Sequence, residues 1–223
     1  MIDNILHPRI IENKDWATLI FVLSFATIAF TKSVFENRFA DFTKLIYSDK
    51  YNNIYKDGSH LKSGFTIALF LIQIISFSFL IQISLSAFGL ASKTDFVLYI
   101  QIITFLMYFV LAKFLIEKII ATAFNIDEFI EQFNLQKVIY RTYIGLFLLP
   151  INAVLFYYDD LSSNIPLFIL GLILIINTLI YFVSIKNYQS LIFSKFFYFI
   201  LYLCALEIAP YYFMYYWFTK RIV

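Results

Sequence analysis

Six apolar runs separated by short polar stretches occupy most of this chain, at 16–31, 64–91, 96–116, 142–158, 165–183 and 196–218. A bilayer core about 30 Å thick is crossed by about 20 apolar residues in a helix, because backbone amides in lipid must bond within their own segment. Two of the runs, 16–31 and 142–158, are short for that task. They are expected to extend into polar flanks, to cross thinner membrane or to be recruited by neighbours, while 64–91 is long enough to tilt. Charged residues make up 14% of the chain, against about 25% in soluble domains. That deficit excludes a soluble globular domain and a disordered tail. The expected fold class is all-α: a polytopic membrane protein, one integral membrane domain over 1–223. Its architecture is a bundle of six transmembrane helices with two interfacial amphipathic helices.

Lys and Arg number seventeen against fifteen Asp and Glu, a balance too even for a nucleic-acid partner. Their distribution is more informative, since cytoplasmic loops concentrate Lys and Arg. Arg9, Lys14, Lys93, Lys220 and Arg221 fall on one side of a six-span topology, and the other twelve fall opposite. Twelve against five puts both termini outside the cytoplasm. The run 16–31 could be read as a signal peptide, but Asp3, Glu12 and Asp15 offset Arg9 and Lys14 before it. That is the wrong balance for a positive leader, so the run is expected to be the first transmembrane helix.

Two loops carry helical periodicity. Val34, Phe35, Phe39, Phe42 and Ile46 recur at three- and four-residue steps while Lys32, Arg38 and Lys44 fall elsewhere, the pattern of a helix lying along headgroups with its basic residues near anionic lipid. In the third loop Asn125 precedes Glu128 as in a capping box, and Ile126, Phe129, Ile130 and Phe133 share one face. Asp127, Glu128 and Glu131 line the other. This acidic helix, over 126–133, could pair with the basic one or with another protein.

No motif for a known membrane chemistry is legible. The single Cys204 and the two histidines, His7 and His60, both in hydrophilic segments, leave no Cys-based zinc site and no bis-histidine haem between helices. No H-E-x-x-H and no Gly-rich phosphate cradle occur. Asp159-Asp160 could bind a divalent cation, although two adjacent carboxylates are also what a solvated turn before Pro166 carries. No cofactor, metal or catalytic residue is therefore expected.

Polar residues inside spans are expensive and are functional candidates by default. Glu207 lies near the middle of the last run, three residues before Pro210. Counted at about 1.5 Å per residue from the cytoplasmic ends of their runs, Gln73, Asn152 and Glu207 come to roughly 14, 15 and 16 Å, and Asn177 to roughly 12 Å. These four form a candidate intramembrane polar site at one depth. Either the amides join helices or the layer handles a substrate or proton. Lys113 and Arg141 are the basic residues that could partner it. Near the cytoplasmic end of its run, Lys113 is expected to snorkel, and it pairs with Glu117 one turn on if that helix continues past Ile116. Tyr211, Tyr212, Tyr215, Tyr216 and Trp217 read as an aromatic belt.

A short first run opening with Asp15-Trp16, the aromatic and basic stretch 35–42, and Arg141-Thr142-Tyr143 leading into Leu148-Leu149-Pro150 together resemble an uncharacterised integral membrane family, a domain of unknown function common in Bacteroidota. The resemblance implies a bacterial inner-membrane protein and supplies no catalytic residues. With the multi-pass topology, two functions follow as expectations. One is a non-enzymatic subunit, a scaffold or accessory component of a cell-envelope assembly such as a secretion or motility machine, with the bilayer, other membrane proteins or a second copy as partners. The alternative is a small proton-coupled transporter or permease built on the layer around Glu207, with a lipid-active enzyme third.

Overall fold

The computed structural model describes residues 14–45, 63–123, 127–158 and 164–187, the side chains of 128, 129 and 181–187 excepted. Among these residues there are six α-helices and no strand: α1 (Asp15–Val34), α2 (Glu36–Thr43), α3 (Gly64–Ala87), α4 (Phe96–Ala123), α5 (Asp127–Tyr157) and α6 (Asn164–Asn187). Four of them, α1, α3, α4 and α5, are long and apolar enough to cross a membrane, and α6 carries a shorter apolar stretch, Asn164–Ile180. The chain is thus an all-α polytopic membrane protein. The sixth run, 196–218, lies outside the described residues, as do Asp57-Gly58-Ser59 and Asp159-Asp160.

Local chemistry sets the helix ends. Ser63 Oγ accepts from the Thr66 amide at the start of α3. Asp95 Oδ1 accepts from the amides of Val97 and Leu98 at the start of α4. Each satisfies amides that a first helical turn leaves without an intrahelical partner. Past the end of α3, Gly89 adopts φ +71°, and its amide bonds to Ser86 O while that of Leu90 bonds to Leu85 O. This left-handed closure suits glycine because no Cβ resists it. Pro150 sits inside α5 without ending it.

Contacts at the two ends of the bundle give the chain direction. At one end Trp16 Nε1 donates to Thr94 O (3.1 Å), the Thr18 and Tyr157 hydroxyls are hydrogen-bonded, and Lys93 Nζ donates to Tyr158 O (2.8 Å). At the other end α2 packs on the start of α3, and the Tyr143 hydroxyl reaches Thr43 O. Hence α1 and α4 run one way while α3 and α5 run the other, side by side. α3 is the central helix, with 56% of its apolar window buried against 6% for α4.

Two aromatic clusters hold this arrangement. Phe21, Phe79, Tyr99 and Phe156 fill the first end, with the Phe21 and Phe79 rings stacked at 4.2 Å. Phe39, Phe42, Phe65 and Tyr143 fill the second. Leu80, Leu148 and Ile173 join α6 to α3 and α5.

The two interfacial helices need correction. The first exists as α2, shorter than the periodicity over 34–46 suggests. The second is not a separate element: the described part of 126–133 forms the opening turns of α5, because no glycine or proline occurs between Asp127 and Gly145 to end the helix. At about 1.5 Å per residue α5 is about 46 Å long and α4 about 42 Å, more than the roughly 30 Å of a hydrocarbon core. The charged residues of both, Lys113, Glu117 and Lys118 on α4 and Asp127, Glu131, Lys137 and Arg141 on α5, lie in the halves nearer α2, so the excess length falls at that end.

Candidate functional site

Two of the candidate polar residues, Gln73 and Asn152, meet in the seam between α3 and α5. The helices approach closely at Gly145, where a Cβ would stand 2.8 Å from Gln73 Cα. One step along, the Thr142 hydroxyl donates to Gln73 Oε1 (3.0 Å). Asn152 is fully enclosed, and its Nδ2 donates to Ser76 O (2.7 Å) and contacts Ser76 Oγ (3.3 Å). Gln73 and Asn152 thus sit on one interface but on successive rungs. Asn152 meets α3 at Ser76, three residues on from Gln73, about 4.5 Å of rise along that helix.

Asn177 is partly buried on α6, and its Nδ2 turns to its own helix at Ile173 O (2.9 Å). Glu207 lies outside the described residues. Asn152 Oδ1 is buried without a hydrogen-bond partner among the described residues. The amide Nε2 of the buried Gln82 donates to Asp95 O (2.7 Å) and Ser92 O (3.4 Å), tying α3 to the loop before α4.

The basic residues Lys113 and Arg141 occupy a different place. Both line a cavity of about 590 Å³ between α3, α4 and α5. Glu117 Oε1 lies there 3.5 Å from Lys137 Nζ and 4.0 Å from Lys113 Nζ, all three side chains being at most 10% exposed. Lys113 therefore turns toward Glu117 as α4 continues past Ile116, and Lys137 adds a cross-helix partner on α5. Position 137 showed only as a loop charge in the sequence. Its signal would have been the stripe Asn134, Lys137, Val138 and Arg141 on one helix face. Nearby, Arg38 is turned inward rather than toward lipid: it donates to Ser63 Oγ (2.7 Å) and Thr66 Oγ1 (3.2 Å) and lies over the Phe65 ring at 4.7 Å. Among the described residues no group of His, Cys, Asp and Glu is placed to hold a metal ion.

Long apolar helices joined by buried amides, with paired charges gathered toward one end of two of them, define a polytopic helical membrane protein. Nearly the whole chain, residues 17–218, matches the family described as domain of unknown function DUF4271, and the protein belongs to that family. Neither a curated protein nor a solved structure matches the chain.

Proposed function

We propose that the protein is a non-enzymatic inner-membrane subunit, a scaffold or accessory component of a cell-envelope assembly of the kind that drives secretion or motility. The observation that supports this reading is the use made of polar side chains inside the spans. The Thr142 to Gln73 and Asn152 to Ser76 bonds join α3 to α5, so these groups act as joints, the structural use of intramembrane amides. A partner would find a long face on α4, where Phe105, Tyr108, Leu115 and Ile119 are exposed along one helix. The charge distribution supports an orientation with both termini in the periplasm.

Extraction from native membranes in mild detergent, followed by mass spectrometry of what copurifies, tests the proposal. A stoichiometric membrane-protein partner, crosslinked from cysteines placed at Tyr108 or Ile119, is the expected result. A protein that purifies alone and drives proton-coupled uptake in proteoliposomes, lost in Glu207→Gln, would replace the scaffold with a transporter.

A further inference from the structure

The cavity between α3, α4 and α5 has two chemistries. Its lining combines the apolar Ile67, Phe70 and Leu111 with the cationic Lys137 and Arg141 and the exposed Lys118. We propose that it binds one phospholipid through an anionic phosphate headgroup, with the apolar tail leaving along α4.

Charge is the first argument. The lining residues include four cations, Lys113, Lys118, Lys137 and Arg141, and two carboxylates, Glu117 and Glu131. The buried carboxylate, Glu117, already lies between two ammonium groups, and Glu131 is exposed. Excess positive charge among low-dielectric walls favours an anion, and a phosphate is the group that Arg and Lys donors match. Asn134 gives a second argument: it lines the same wall at 4% exposure, so a polar amide stands beside the cations in the part that would take the headgroup.

Position is the third argument. Thr66, Ile67 and Phe70 belong to the first two turns of α3, and the charged residues of α4 and α5 gather at the same end, the polar flank of a span that meets headgroup phosphates. Leu111 on the cavity wall and Leu115 one turn away are exposed on α4, a surface against which an acyl chain can lie.

The full-length protein, reconstituted in phosphatidylcholine nanodiscs with a minor fraction of phosphatidylglycerol and re-extracted in detergent, can be weighed by native mass spectrometry. One retained phosphatidylglycerol per protein is expected. The Lys118→Gln, Arg141→Gln pair should lower its retention by about tenfold or more, as loss of charge-assisted hydrogen bonds implies. Val110→Trp, which fills the apolar part and leaves every charge in place, should also displace it, whereas Lys93→Gln at the opposite end should not. Equal retention of both lipids by the unmodified protein, or retention unchanged in both cavity variants, would overturn the site. Displacement of the lipid by glycerol 3-phosphate at matching concentration would overturn the lipid assignment and make the cavity a site for a soluble phosphate ester.

Discussion

At Gly145 the seam between α3 and α5 has no room for a methyl group, since the nearest backbone atom, Gln73 Cα, would stand 2.8 Å from it. Gly145→Ala must therefore push the helices apart, and overpacking of this kind costs about 1–3 kcal/mol. The expected readout is a lower melting temperature in nanodiscs, and an unchanged one would mean that the seam is not close-packed there. Asn152→Ala removes the bond to Ser76 O; buried interhelical bonds in membranes average about 0.6 kcal/mol, so its melting shift should be the smaller of the two. Fit, more than hydrogen bonding, decides how α3 meets α5. Gln73 and Asn152 were visible in the sequence because an amide stands out in an apolar run. Their bonding partners, Thr142 and Ser76, were not, because small hydroxyl residues carry no periodic signal and their pairing depends on helices distant in sequence.

Apolar run length made α1, α3 and α4 legible, and α3 and α4 also begin at side chains that cap them, Ser63 and Asp95. The start of α5 was legible as a helix over 126–133 but not as the first turns of the span: the amides and charges between 134 and 141 look like a loop until Glu117 is set beside Lys137. That pairing spans two helices, and neither helix's own pattern contains it. The projecting parts of α4 and α5 should depend on it strongly. Glu117→Gln leaves the Lys113 and Lys137 ammonium groups facing one another, and breaking a buried pair in this way costs about 3–5 kcal/mol. Glu131→Gln, at an exposed position of the same cavity, should stay within about 0.5 kcal/mol of the unmodified protein. Thermal melting of the two variants side by side checks this; equal shifts would mean that the Glu117 pair contributes nothing to the packing of α4 against α5.

For the whole molecule, the end contacts group the start of α1 with the α3–α4 loop and the end of α5, and α2 with the start of α3, so one sidedness measurement orients all of these elements. Single cysteines at Lys44 and Ser92, in a Cys204→Ser background, should label from opposite faces: Ser92 from the periplasm and Lys44 only after permeabilisation. The reverse pattern would invert the orientation expected from the charge count. The most extensive contact in the bundle joins α3 to α5, two helices with α4 between them in the chain. During synthesis α3 thus enters the membrane before the surface that will shelter Gln73 and Ser76 has been made. Until α5 follows, those groups face lipid or whatever the insertion machinery offers, and the nascent protein is most vulnerable to quality control in the interval between its third and fifth helices.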